Sequence, residues 1–387
     1  MRVAGAALLC ASGVGAQAAP ATGAAPVHGP FPSATYRALV ASEAVDQIAE
    51  IELGPGGARV TRTLNVGIML ADPDGPHGVA VSPNGDHFYV TTAHGTPYGF
   101  LWKFATGTHA FAGRTMLGNF PATAQVTADG ANIVVVNFNL HGEMEPSDVS
   151  IVRASDMLEM ARLRTCTMPH GSRVVGTKHY SACMMDDQLV EIDVNELRVT
   201  RHFQLTKGSE RGMPGEPPLR SAAGAPAHDM SGHGMTAPSA GSTACSPTWA
   251  QPSPDGRTVW VACNAASDLV EIDAASWTMR RRIPAGAGVY NLAITPDGSR
   301  LVATNKRGQS VSVFDAASGK ELARIPTLRR VVHGAAITRD GRYAFVTVEG
   351  IGSEPGTVEI IDMVALTTIA RVDVGQMAGG VDVLPGR

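Results

Sequence analysis

The sequence predicts an all-β fold: a single seven-bladed β-propeller of four-stranded antiparallel blades, its ring closed by N-terminal strands plus a C-terminal strand. Three observations lead there. A hairpin motif recurs along the chain, its copies follow one another at blade spacing, and the two ends carry the missing parts of one further blade.

The motif is an apolar alternation, then Ser/Thr-Pro/Arg-Asn/Asp-Gly, then a Val-rich run. It reads HGVAVSPNGDHFYVTT (77–92), WAQPSPDGRTVWVAC (249–263), YNLAITPDGSRLVAT (290–304) and HGAAITRDGRYAFVT (333–347). PATAQVTADGANIVVV (121–136) and HGSRVVGTKHYSAC (170–183) are weaker copies. Period-two alternation marks strands, and Asn-Gly or Asp-Gly supplies the positive φ of a tight hairpin turn. A third strand follows each copy and ends on Asp: LVEID (189–193), LVEID (269–273), VSVFD (311–315), VEIID (358–362). Asp193, Asp273, Asp315 and Asp362 there accept turn N–H bonds. A fourth strand such as WTMRRRIPAG (277–286) completes the unit, and its Arg280, Arg281 and Arg282, like Arg329 and Arg330, are expected as solvated edge protectors.

The turn glycines Gly85, Gly130, Gly256, Gly298 and Gly341 lie 45, 126, 42 and 43 residues apart. The wide gap holds one degenerate repeat plus an insertion. Six copies therefore account for six blades. GGVDVLPG (379–386) is a lone first strand, and residues 34–70 hold three strands with no first strand. Joined, they make blade one, and the copies beginning near residues 77, 121, 170, 247, 290 and 333 become blades two to seven. Composition agrees: 43 Gly and 25 Pro argue against a helical bundle, while 44% hydrophobic residues exclude a disordered chain. A formal net charge of −4 argues against nucleic acid as a partner.

The repeat resembles that of the YVTN-type propellers of exported bacterial proteins, carried by SPNG…FYVTT, SPDG…VWVAC and TPDG…LVATN with strands ending at Asp273 and Asp315. The resemblance spans most of residues 36–386 and implies a seven-bladed fold used as a binding surface, a scaffold or an occasional enzyme. The fourth blade departs from it by lacking the Pro-Asp-Gly turn.

In such a ring the residue opening each first strand lies at the mouth of the central channel. Counting back from the turns places His77, Ala122, His170, Thr248, Tyr290 and His333 there. Three His from different blades suit a metal site that no linear motif would show, or a simple hydrogen-bonded opening of the strands. The loops between second and third strands face the same side and add His94, His141, Asp186, Asn264, Asn305 and Glu349. The arrangement is similar to the seven-bladed domain of nitrous oxide reductase, but with fewer His and no cupredoxin domain.

Cys166 and Cys183 occupy the same relative places in blade four as Cys245 and Cys263 in blade five, so two intrablade disulfides are expected, Cys166–Cys183 and Cys245–Cys263. Between these blades lies an insertion, residues 207–244, in which 24 of 38 residues are Gly, Pro, Ala or Ser, the composition of a mobile loop. It contains His228, Met230, His233 and Met235, soft ligands whose close spacing suits Cu(I). Residues 1–19 have the Arg, short apolar run and Ala-Gln-Ala site of an export signal, and 20–33 read as a flexible lead-in. No later run is long enough for a transmembrane segment.

These features predict a periplasmic or secreted binding protein or scaffold. A protein partner or small ligand would sit on the top face, and copper would be the cofactor of a His site there. The alternative is a metal-dependent hydrolase or lactonase using the same pocket, with Asp186, Asn264, Asn305 and Glu349 as its cage for a hard cation. A haem domain lacks the C-x-x-C-H attachment motif.

Overall fold

The computed structural model describes residues 27, 29–68, 73–94, 98–140, 142, 144–218 and 244–386. Seven antiparallel sheets form a ring. Blade one pairs the C-terminal strand Ala378–Leu384 with Tyr36–Ser42, Gln47–Gly54 and Gly57–Asn65, which is the closure expected from the two chain ends. The inner strands of blades two to seven are Pro76–Val81, Pro121–Val126, Pro169–Val175, Pro247–Pro252, Val289–Ile294 and Val332–Ile337. The core is distributed: separate apolar clusters lie between neighbouring sheets, such as Leu269, Leu292, Leu301 and Phe314 between blades five and six. Each buried face exists only because the next blade covers it. The export signal at 1–19 lies outside the described residues.

The turns refine the sequence reading. The five repeat glycines have φ between 70° and 76°, but the Asn or Asp before them does not have positive φ. Gly85 N–H donates to Ser82 O at 2.8 Å and Gly256 N–H to Ser253 O at 2.9 Å. This is a four-residue turn in which Pro83 or Pro254 pre-sets the second position and glycine alone takes the left-handed one. The acidic residue instead ties the turn together: Ser253 Oγ donates to Asp255 Oδ1 at 2.6 Å. Blade four, without that motif, uses a two-residue loop with Gly176 at φ 56°. The Asp at each third-strand end accepts turn N–H bonds as expected, for example from Ala275 and Ser276 to Asp273.

Three expectations are corrected. The insertion does not begin as a loop: Arg211–Pro214 adds a fifth strand to blade four. Two of the fourth-strand arginines, Arg281 and Arg282, are not solvated edge protectors, whereas Arg280 and Arg330 are exposed as expected. Arg282 is largely buried between Glu210 at 2.6 Å and Asp268 at 2.8 Å, and Arg281 reaches across to Ala317 O of blade six at 2.8 Å. Desolvated carbonyls and carboxylates at the blade seams need donors, and these cations supply them. Nor is the 20–33 lead-in free along its length, since Phe31 packs on the cluster shared by blades seven and one.

Both expected cysteine pairings form, Cys166–Cys183 with Cα atoms 5.9 Å apart and Cys245–Cys263 at 4.4 Å. Only the second is intrablade: Cys166 sits on the outer strand Leu158–Thr167 of blade three, so its bridge joins blades three and four.

Candidate functional site

Each inner strand carries the same irregularity. Pairing with the second strand slips after the first position, as between Pro76 and Val79, Pro169 and Ser172, or Val332 and Ala335. Such a bulge reverses the alternation of side chains. The second residue of each strand therefore gathers at the channel mouth, while residues at the third and fifth positions line the channel below.

The mouth ring is His77, Ala122, His170, Thr248, Tyr290, His333 and, in blade one, Gly379. The three His do converge: the His77 ring centroid lies 5.5 Å from that of His333 and 6.1 Å from that of His170. All three are buried. The glycine following each His is a packing requirement, because a Cβ on Gly78 or Gly171 would come within 2.2 Å of the next blade's ring carbonyl.

The ring nitrogens are held by neighbours. His77 Nδ1 lies 2.9 Å from Glu43 Oε2, and His94 Nε2 lies 2.5 Å from the other oxygen of the same carboxylate. His170 lies 3.1 Å from Thr248 O through Nδ1 and 3.0 Å from the Tyr290 hydroxyl through Nε2. Tyr290 packs on His333 at 4.9 Å, with the Lys306 ammonium 4.3 Å from its ring centroid. Lys306 donates to Glu349 at 3.0 Å, whose carboxylate stands 3.8 Å from His333 Nε2. Among the described residues no group of three or more His, Cys, Asp and Glu is placed to hold a metal ion.

Charge is balanced inside this network. Burial pushes the Glu43 carboxyl up, but His77 and His94 outweigh it and hold the pKa well below the ordinary carboxylate value. The bond to Glu43 raises His94 against the opposing effect of burial. Burial pushes the Tyr290 hydroxyl up to about 12, although Lys306 pulls the other way. For Lys306 burial lowers the pKa, yet Glu349 and Tyr290 leave it above its usual value.

His94 thus joins the site. His141 and the insertion residues His228, Met230, His233 and Met235 lie outside the described residues. The hard-cation set is not assembled: Asn264 donates to Gly288 O and Val289 O, Asn305 to Ser310 and Ser312 Oγ, Asp186 accepts Thr167 N–H, and Glu349 takes Lys306. Sequence reasoning missed Glu43 and Lys306. Both sit in second-to-third strand loops, so aligning blade one with the repeat would have placed Glu43 level with His94.

Below the ring the channel opens into a cavity of about 200 Å³, reached by His77 and His333 from above. Its deeper lining includes Gln125, Arg173, Gln251 and Asp382, one residue from the fifth position of each of four inner strands, with Ala80, Ala293 and Ala336 at that level elsewhere. Trp249 and Asn291 line it from the third position. The Arg173 guanidinium lies 4.6 Å from the Trp249 ring centroid. Burial pulls Arg173 down to about 10, with Asp382 opposing, and burial pushes Asp382 up. Trp249 Nε1, Gln251 Oε1 and Asn291 Oδ1 are buried without a hydrogen-bond partner.

Solved structures share this fold. A hydrazine synthase of Kuenenia stuttgartiensis superposes with a TM-score of 0.61 at 19% identity, covering 82% of this chain and 94% of that one. A putative 6-phosphogluconolactonase of Bacteroides fragilis gives 0.63 at 14% identity, covering 90% and 98%. A functionally unknown protein of Desulfotomaculum acetoxidans gives 0.61 at 11%, covering 91% and 99%. At these identities the likeness is one of fold. No family model and no curated protein matches the chain, which is a seven-bladed β-propeller by its architecture.

Proposed function

We propose that this protein is an exported, non-catalytic binding propeller that takes a small ligand into the channel beneath the histidine ring. The observation that carries the reading is the cavity, on which inner strands of different blades converge with Arg173, Trp249, Gln251, Asn291 and Asp382. Charged and polar side chains gathered around a chamber are the elements that orient a small ligand. The mouth network above it serves as a rim. Paired cysteines and the signal-like N-terminus support export, as does the YVTN-type repeat. No helix among the described residues is long and apolar enough to cross a membrane.

The test is thermal unfolding against ligand classes offered singly: neutral sugars, carboxylates, amines, amino acids and divalent metal salts. One class should raise the melting temperature, and Asn291→Ala with Gln251→Ala should remove the effect. No shift from any class would sink the reading.

A second reading, copper handling, is favoured by methionines. Met168 and Met184 are buried beside Phe138 on the mouth side, with Met144 and Met185 packed against them. Thioethers suit Cu(I), and the Met/His octet of the insertion could share the ion. Titrating Cu(I) against a competing chelator should then show weaker uptake once residues 228–235 are deleted; equal uptake by both proteins removes the octet from the site, and no uptake by either removes copper from consideration.

A further inference from the structure

The cavity has a charge pattern more specific than its size. Its lining carries one cation and one carboxyl group, Arg173 and Asp382, and its other polar members are amides, an indole, imidazoles and the Thr123 hydroxyl. A guanidinium has five N–H donors. Among the described residues, Arg173 gives one to Ser172 O at 3.1 Å and lays its face on Trp249. The remaining donors of that fork are matched to a carboxylate.

On the acceptor side, each Asp382 oxygen accepts one backbone N–H, from Val81 and from Val383, both at 2.8 Å, which leaves lone pairs for a further donor. The amide side chains of Gln251 and Asn291 line the same cavity. A carboxyl group in a polar lining matches an ammonium.

A lone anion would be opposed by Asp382 and a lone cation by Arg173. A molecule carrying both signs satisfies both. At about 200 Å³ the cavity is smaller than the roughly 300–1,000 Å³ of pockets for drug-sized ligands and suits a small molecule. Val79, Val381, Ile294, Ile337, Ala293 and Ala336 leave only short apolar walls. We propose that the cavity is a zwitterion site for a free α-amino acid with a small side chain. Its carboxylate would lie on Arg173 and its ammonium on Asp382, within the polar lining that Gln251 and Asn291 complete. The assignment rests on the reading that the cavity binds a small ligand.

Calorimetric titration of the full chain with L-alanine, L-serine and L-valine tests it, with propionate and alaninamide as analogues lacking one charge each. At least one amino acid should bind, with both analogues weaker by at least about tenfold, some 1.4 kcal/mol. Arg173→Gln and Asp382→Asn should each cost at least about tenfold. Because Asp382 also bonds Val81 of the next blade, Gln251→Leu is the variant that leaves the ring bonding alone, and it too should weaken binding. Propionate binding as tightly as alanine, or undiminished alanine binding in Arg173→Gln, overturns the assignment. If the three amino acids fail while another class still stabilises the protein through Asn291 and Gln251, the zwitterion assignment falls and the binding reading stands. If nothing binds, both fall and the chamber holds water only.

Discussion

Blades four and five present their inner strands to the channel as blades six and seven do, but they are held differently. In blade six the Asn291 N–H donates to Thr304 Oγ1 at 2.9 Å, and that hydroxyl donates to His333 O of blade seven at 2.9 Å. Blade seven repeats the relay through Thr347 to Gly379 O, and blade two does so through Thr91 to Ala122 O. One hydroxyl thus pairs an N–H freed by the bulge and sews its blade to the next. In blades four and five the corresponding second-strand positions are Ala182 and Ala262, and the following residue is a half-cystine. There the mouth residues make the seam themselves: His170 Nδ1 lies against Thr248 O, and Thr248 Oγ1 donates to Tyr290 O at 2.7 Å. The Cys245–Cys263 bridge clamps the second strand of blade five to the segment entering its first, whereas Cys166 lies on the outer strand Leu158–Thr167 of blade three and its bridge ties that blade to blade four. A repeat protein can therefore replace a hydrogen-bonded seam by a covalent tie at the end of the second strand, provided a side chain of the ring takes over the joint.

The largest effect should come from breaking that tie. Replacing Cys245 and Cys263 together by Ser should cost roughly 3 kcal/mol in urea unfolding without reductant, because the bridge closes a loop of 18 residues. A loss below about 1 kcal/mol would mean that Thr248 and His170 suffice and that the two sealing methods are redundant. Thr304→Val comes next. It keeps the shape but leaves the Asn291 N–H and His333 O unpaired, costing about 1–3 kcal/mol in the same measurement. An equal cost for Thr248→Val would show the seams to be equivalent; a smaller one would confirm the load carried by the disulfide.

The smallest effect concerns the seam of blades one and two, sealed by charge at Glu43, His77 and His94. His94 has a raised folded pKa, so its contribution is complete below the ordinary 6.5 and is lost as pH rises through the raised value. Glu43 has a depressed one, so its contribution is present above the ordinary 4.5 and is lost as pH falls through the depressed value. Stability should hence decline toward alkaline pH as His94 loses its proton. Glu43→Gln should flatten that decline and lower the His94 pKa followed by NMR. An unchanged His94 titration would remove Glu43 from the rim.

The blades, their number and their closure were legible because each is encoded locally, by period-two alternation and by glycines that alone tolerate the turn's positive φ. The disulfides were legible because two Cys pairs kept register with that repeat. His77, His170 and His333 could be placed together for the same reason, since an equal offset from equal turns puts residues at equal height in a ring. Chemistry at that height was not legible. Whether His170 is a ligand or a strut depends on Tyr290, 120 residues away, and on a carbonyl of the adjacent blade. Arg281 and Arg282 look like solvent-facing charges until neighbouring blades bring bare carbonyls and Glu210 to them.

Local pattern thus determined everything that repeats in this protein: strand, turn, blade and ring. Only the tertiary structure decided what does not repeat, namely that Glu43 sits between two histidines and that Arg173 and Asp382 share a chamber with unpaired amides. The reason is physical. Backbone geometry is set by neighbours in sequence, whereas the protonation and pairing of a side chain are set by neighbours in space, and in a closed ring those come from other blades.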